Sequence, residues 1–352
     1  MSEHHFNYFR VKNFKRFKDL EVKDIGQFNL VLGDNNVGKT SLLEALMWER
    51  GRFVFGDDKR FDSKFIPYLF KNQFEKNYGV SADVFWKLYS NVEGDQKIEF
   101  LNSRGDTQEI ITYKPQGLVL SHRVLEDFRN FYIDFETSRN GSILSLSTEG
   151  VKINQERIGE LTTPFIPFGQ NLEKNVVSLY SKNIQFDKQK RANFIKGVTK
   201  LFPEIEGVEP SELGEENSLM VIRKTSNYNL NLTSFGDGFI KTIIVLMYLD
   251  EFAQNKLMID EIDAGIHYSR MKDYWKVILQ SAKDNDVQIF ATTHNRECIE
   301  SFNQALVELG AEYQEKARTI TLKESPKGQN ISAYTNTFEV LDDALEIGND
   351  LR

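Results

Sequence analysis

The stretch VLGDNNVGKTSLLEAL, Val31 to Leu46, narrows the fold more than any other part of this chain. Gly33-Asp34-Asn35-Asn36-Val37-Gly38-Lys39-Thr40 fits G-x-x-x-x-G-K-[ST], set between a buried-type apolar run and an amphipathic segment. The chemistry explains the residue types. Gly33 and Gly38 permit backbone angles closed to other residues, so successive N–H groups converge on one anion. Those amides lie at a helix N-terminus, where the macrodipole adds roughly half a positive charge. Lys39 supplies a mobile cation for β- and γ-phosphates, and Thr40, followed by Ser41, offers a hydroxyl to Mg2+.

The remaining pattern extends this start. Residues 6–32 read as strands, and Lys39–Arg50 as a helix with Leu42, Leu43, Leu46 and Met47 on one side and Gly51 as its stop. An aromatic-rich helical part, Phe65–Phe74, comes next. KIEFL, QEIITY and NFYIDFE then alternate between turn signals and read as antiparallel hairpins. LEKNVVSLYSKNI and KQKRANFIKGVTKLF show helical spacing, the second ended by Pro203, and LMVIRK with YNLNL reads as a strand pair. A helix over Phe239–Ala253, the strand KLMID, a helix over Tyr268–Lys283 and the strand VQIFATT follow. ARTITLKE reads as a further strand and Val340–Ile347 as a final helix.

Strands separated by long helices imply an α/β fold with a mostly parallel central sheet covered on both faces, plus an antiparallel β subdomain. The expected organisation is one domain over 1–352. Residues 1–51 carry the N-terminal strands and phosphate loop, 52–160 a strand-rich variable part with a helical insertion, and 161–352 a second lobe. No heptad pattern persists beyond a few turns, so a long coiled-coil arm is excluded.

Three further stretches carry chemistry. KLMIDEID ends a buried-type strand in Asp260 and Glu261. A carboxylate there, beside the phosphate loop, can hold Mg2+, and the next one, Glu261, is placed to polarise a water for attack on a γ-phosphate. NLTSFGDGFIKT sets Ser234, Gly236 and Gly238 ahead of a helix. That is either a second anion site or an ordinary N-cap by Ser234 or Asp237. One chain with one phosphate loop has no use for a second site, whereas a dimer does. VQIFATTHN puts His294 at a strand's carboxyl end, where ligands sit in open α/β sheets. His267 reads as structural, and His4–His5 as a frayed terminus.

Charge and composition set bounds. A formal net charge of −8 argues against broad, unaided nucleic-acid binding, and KNFKRFK and KQKR read as solvated faces. The single cysteine, Cys298, excludes an internal disulfide. No apolar run reaches the ~20 residues of a membrane span, and the N-terminus lacks the apolar segment of a signal peptide. A cytoplasmic protein without a membrane role is expected.

Together these residues resemble the ABC-type ATPases of the SMC, RecF and OLD group, most closely the compact prokaryotic proteins classed as AAA-family ATPases with that core. FRVKNFKRFKDLEV with the phosphate loop looks like the group's N-terminal strands and Walker A. LTSFGDGFIKTIIVL is similar to its shortened signature, LMIDEIDAGIHY to its Walker B and D-loop, and VQIFATTHN to its switch-histidine strand. The likeness covers roughly residues 6–50 and 165–352.

The resemblance implies ATP and Mg2+ as ligands and a homodimer closing around ATP. Ser234, Gly236 and Gly238 of one chain would meet the nucleotide held by Lys39 of the other. It assigns Glu261 as catalytic base, His294 as switch residue and Asp263 to the D-loop. Gln170 would be the Q-loop glutamine, and Arg16 the basic residue near the nucleotide. Too few residues follow His294 for the Toprim nuclease domain of OLD proteins, so no nuclease activity is expected.

The implied role is an ATPase switch in prokaryotic DNA metabolism or phage defence. One alternative is a slow, ATP-gated scaffold that controls an effector protein, a nuclease or toxin, encoded nearby. A second is a RecF-like DNA-binding ATPase. ATP is not distinguished from GTP by the phosphate loop itself.

Overall fold

Alternation decides which sheet each N-terminal strand joins. In β1 (Tyr8–Phe14) and β2 (Phe17–Lys23), buried Phe9, Val11, Leu20 and Val22 alternate with more exposed polar residues. The two pair antiparallel, with Arg10 gripping both carboxylate oxygens of Asp19 at 2.8 and 2.6 Å. All five residues of β3 (Phe28–Leu32) are buried, the mark of a strand covered on both faces. The computed structural model describes residues 5–47, the strands between 97 and 157, and residues 164–168, 176–211, 218–226, 228–325 and 330–349.

After β3 comes α1 (Lys39–Leu46), with Leu42, Leu43 and Leu46 buried as the spacing predicts. The strands β4 (Lys97–Asn102), β5 (Thr107–Lys114), β6 (Gly117–Val124), β7 (Asp127–Ser138), β8 (Gly141–Thr148) and β9 (Val151–Arg157) are antiparallel. They extend the first hairpin into an eight-stranded sheet ordered β2-β1-β4-β5-β6-β7-β8-β9. The described strands of the variable part, 52–160, thus share one sheet with β1 and β2. The helix expected over Phe65–Phe74 lies outside the described residues.

The second lobe begins with β10 (Phe165–Ile166), α2 (Val176–Asn183) and α3 (Lys188–Leu201). Asp187 caps α3 by accepting from the Gln189 and Lys190 amides. The expected pair LMVIRK and YNLNL forms within a three-stranded sheet of β11 (Ile205–Pro210), β12 (Leu219–Arg223) and β13 (Leu230–Asn231). Next come α4 (Asp237–Glu251), β14 (Lys256–Ile259), α5 (Tyr268–Asp284), β15 (Gln288–Thr292), α6 (Arg296–Leu309) and α7 (Ala311–Gln314). The chain continues through β16 (Ala317–Glu324), β17 (Ile331–Asn336) and α8 (Phe338–Glu346). The sequence reading has no counterpart for α6, which is capped by Asn295, whose side chain accepts from the Glu297 amide.

The central sheet runs β10-β14-β15-β3-β16-β17, parallel except for the edge strand β17. Helix α5 buries Met271, Tyr274, Trp275, Ile278, Leu279 and Ala282 at helical spacing. Each large apolar side chain so buried contributes roughly 1.5–3 kcal/mol. Parallel pairing has one consequence for chemistry. Ile259 is paired with Ala291, and Thr292 with Val31, so β14, β15 and β3 end at one edge of the sheet.

Candidate nucleotide site

The loop after β3 adopts the turn that its glycines permit. Gly33 (φ 138°) and Gly38 (φ 106°) both lie in the left-handed region. A Cβ on Gly33 would meet the Leu322 carbonyl oxygen at 2.6 Å, and one on Gly38 would meet the Phe17 ring at 3.0 Å. Asp34, Asn35 and Asn36 are exposed, whereas Val37 is buried and anchors the loop. Gly38 is the N-cap of α1 and makes no side-chain cap, so no cap side chain satisfies the first amides of that helix. Lys39 Nζ folds back to donate to the carbonyls of Gly33 at 2.7 Å and Asp34 at 3.0 Å.

Beside the loop runs a chain of hydrogen bonds linking the start of α1, the turn after β14 and the end of β15. The Thr40 hydroxyl donates to Asp260 Oδ2 at 2.9 Å, and the Thr292 hydroxyl to Asp260 Oδ1 at 2.6 Å. The Glu261 amide in turn donates to Thr292 Oγ1 at 2.8 Å. Asp260 is buried, and both its oxygens are engaged. Glu261 has φ 44°, a left-handed angle that costs a non-glycine residue about 1–3 kcal/mol and recurs at functional sites. Its carboxylate Oε1 lies 3.7 Å from His294 Nδ1, an ion pair when the imidazole is protonated. The two expected chemical residues, Glu261 and His294, thus stand together beside the Mg2+ candidates Thr40 and Asp260.

The oxygen donors fit a magnesium ion. Thr40 Oγ1 and Asp260 Oδ2 are 2.9 Å apart, and two adjacent oxygens of an octahedral Mg2+ lie ~2.9 Å apart. Among the described residues no group of three or more His, Cys, Asp or Glu forms a cage. Mg2+ needs none, since it usually binds through one or two protein oxygens plus substrate phosphate.

Other expected residues fall elsewhere. Ser234 ends a 3-10 turn, Leu232–Ser234, capped by Asn231, and Gly236 is the N-cap of α4 without a side-chain cap. The ordinary reading, a cap by Ser234 or Asp237, is therefore not what the chain adopts. Ser234, Gly236 and Asp237 are exposed, but Gly238 is buried. A Cβ there would meet the Gly265 carbonyl oxygen at 2.0 Å, so close backbone packing accounts for this glycine. The Asp263 carboxylate accepts from the Thr293 hydroxyl at 2.7 Å within its own chain. Arg16, in the turn before Phe17, pairs with Glu324 at 3.0 Å on the exposed surface. Gln170 lies outside the described residues. His267 caps α5 by accepting from the Ser269 amide, the structural role expected of it.

Three residues of this network escape sequence reasoning. Thr292 and Thr293 read as the polar end of a buried strand, yet each hydroxyl joins a carboxylate to a backbone amide. Lys241 sits in the apolar run GFIKTIIVL and is buried, with its Nζ donating to the carbonyl oxygens of Asp260 and Glu261. Burial pulls its ammonium down to about 8, against the opposing fields of Asp263, Asp260 and Glu261. The available signal is a charge at a position whose helical period demands a buried residue.

Residues 28–300 match the family described as "AAA domain, putative AbiEii toxin, Type IV TA system". The chain belongs to this family. That match makes it a P-loop ATPase domain of the AAA family, and the loop, the acidic strand end and the parallel sheet agree with it. It is 24% identical to an ATP/GTP phosphatase of Helicobacter pylori, over 94% of this chain and 98% of that relative. It is also 24% identical to the Septu protein PtuA of Bacillus mycoides over 98% of this chain, spanning 45% of that longer relative. Among solved structures, an SMC head bound to the C-winged helix domain of ScpA superposes with a TM-score of 0.50 at 12% identity, over 96% of this chain and 99% of that one. The fold of this AAA-family member is thus that of SMC head ATPases. Among the described residues no helix is long and apolar enough to cross a membrane.

Proposed function

We propose that the chain binds ATP with Mg2+ and hydrolyses it in a pocket that two copies complete together. The observation that carries this reading is the hydrogen-bonded chain from Thr40 through Asp260 and Thr292 to the Glu261 backbone. It sets two hard oxygen donors and a carboxylate beside a loop of converging amides. Residues Gly33 to Ser41 wrap the phosphates, with Lys39 exchanging the loop carbonyls for phosphate oxygens. Thr40 and Asp260 would hold Mg2+, which when bound neutralises charge on the β- and γ-phosphates.

Glu261 accepts the proton of the attacking water, and His294 fixes the geometry of that carboxylate and of the γ-phosphate. Exposed Ser234 and the uncapped amides at Gly236 serve the nucleotide of the other copy, where the helix dipole favours added negative charge. Asp263 follows at the junction. Gln170 is taken as the Q-loop glutamine and Arg16 as the basic residue near the nucleotide.

Hydrolysis then switches a partner. The words "toxin" and "TA system" in the family description, with the Septu relative, support placing that switch in defence against phage. They equally favour a slow-turnover variant, in which the ATP-bound dimer controls a separate effector protein, a nuclease or toxin. The net charge of −8 counts against direct DNA binding.

Replacing Glu261 with Gln removes the proton acceptor but keeps the side chain's size. Phosphate release should stop, ATP should stay bound, and a dimer should accumulate on a sizing column. A variant that stays monomeric with ATP, together with a wild type that releases no phosphate, overturns the reading.

A further inference from the structure

The signature helix and the acidic turn of the same chain are joined by one side chain. Lys241 lies in the second turn of α4, the helix whose exposed N-terminus carries Gly236. It is 8% exposed, and its Nζ is spent on two carbonyl oxygens, those of Asp260 (3.3 Å) and Glu261. Glu261 needs such support, because its φ of 44° is unfavourable for a residue with a Cβ. Its backbone is held at both ends. The amide donates to Thr292 Oγ1 at 2.8 Å, and the carbonyl accepts from Lys241 and from the Ala264 amide. A buried ammonium is costly to keep, and a helix position facing the core would ordinarily carry an apolar residue. The expense is explained by what the ammonium does to the turn.

We propose that Lys241 is a positioning residue. It ties the helix presented to the partner's nucleotide to the backbone that aims Glu261 at its own. The inference rests on the reading of Glu261 as the base and of α4 as the trans element. Movement of α4 on meeting the other copy is then transmitted through the Lys241 ammonium to the Asp260–Glu261 peptide. Base alignment in one pocket thereby depends on engagement at the other, and hydrolysis awaits assembly. Lys241 touches no reacting atom in this scheme.

The test uses the full chain with Lys241→Met and Lys241→Arg. Met keeps the length and removes the donors, and Arg keeps donors and charge. For Met, kcat should fall roughly a hundredfold, the loss that misplacing a reacting group by about 1 Å incurs. The KM for ATP should hold, and the ATP-bound dimer should persist for longer than in the wild type. Arg should restore a substantial part of kcat.

A merely structural role would give the opposite signature, because a displaced α4 loses the dimer along with turnover. Wild-type kcat in a folded Met variant, or loss of the dimer at retained ATP affinity, sinks the proposal. If the Met variant melts below the assay temperature, Lys241→Gln, whose shorter amide cannot span to both carbonyls, replaces it: a lowered kcat at unchanged KM supports positioning, and wild-type kinetics refute it. Glu261→Gln, run in parallel, separates the two readings. Normal turnover there defeats the assignment of the base itself, whereas failure confined to Lys241→Met defeats only the coupling.

Discussion

At the phosphate loop, Thr40, Asp260 and Thr292 satisfy one another, and Lys39 is met by the Gly33 and Asp34 carbonyls, all within a single chain. At the signature corner, Ser234, Gly236 and Asp237 stand exposed, and among the described residues no side chain caps α4. Both regions present helix N-termini, yet only one is furnished with counter-groups from its own fold. Backbone donors left open at a helix start are normally met by side chains, water or ligand. The difference teaches where preorganisation resides. The loop side is prearranged for an anion and a cation, while in the proposed dimer the corner acts only once the other copy brings a triphosphate to it.

Several substitutions would break or sharpen this contrast. The largest effect is expected from Lys39→Ala, which removes the mobile cation. Phosphate release should drop roughly a thousandfold, as when a preorganised charge-stabilising donor is lost, with nucleotide affinity falling too. Gly236→Arg attacks the other region. Its Cβ would meet nothing within 4 Å and its φ is −68°, so the fold should be kept. Single-chain ATP binding should survive while turnover falls about a hundredfold. Mixing Lys39→Ala chains with Gly236→Arg chains assembles one intact composite pocket per pair and should recover an ATP-dependent dimer on a sizing column that neither forms alone, with turnover still low because the Glu261 of that pocket belongs to the chain whose α4 stays unengaged. No recovery from two well-folded preparations would mean that the pocket is not shared.

Thr292→Val tests the loop side more gently. It leaves Asp260 Oδ1 and the Glu261 amide without the hydroxyl between them. A loss of about 1–3 kcal/mol in stability is expected by chemical denaturation, with a roughly tenfold lower kcat. Gly238→Ala asks whether this glycine packs or binds. A Cβ 2.0 Å from the Gly265 carbonyl oxygen should cost about 1–3 kcal/mol and lower Tm, whereas Gly236→Ala should leave Tm unchanged.

The smallest effect should come from Glu308→Gln, far from either region. Glu308 is held down to about 2 by hydrogen bonds from Lys272 and Lys276. Because its folded value is depressed, its contribution is present above the ordinary glutamate range and disappears as pH falls through about 2. These charges are exposed, so Tm at neutral pH should move by no more than about 1 °C.

The chemical stretches were legible because each is local. Gly33 to Thr40 is one turn, and its glycines are demanded by φ values that the turn itself imposes. Strand β3 reads from a continuous apolar run, and β4, β5 and β7 from alternation against turn residues. Glu261 and His294 could be paired by analogy with the resembled group, and they do lie together. The alternation of β1 and β2 identified strands without revealing that their hairpin joins β4, through β1, rather than β3. Gly238 and Lys241 were obscure for a different reason. Their partners, Gly265 and the carbonyls of Asp260 and Glu261, lie in the turn after β14, whose contact with α4 periodicity does not encode.

By itself, then, the order of residues determined the phosphate loop, the acidic strand end, the α/β class and the family. These depend on contacts within a few residues and on side-chain period. Only the tertiary structure decided that Thr292 bridges the two acids, that Lys241 holds their backbone, and that Gly238 is a packing glycine. Those contacts join positions whose separation along the chain says nothing about distance. They exist because parallel pairing brings the ends of β3, β14 and β15 to one edge, and because α4 packs beneath the turn that follows β14.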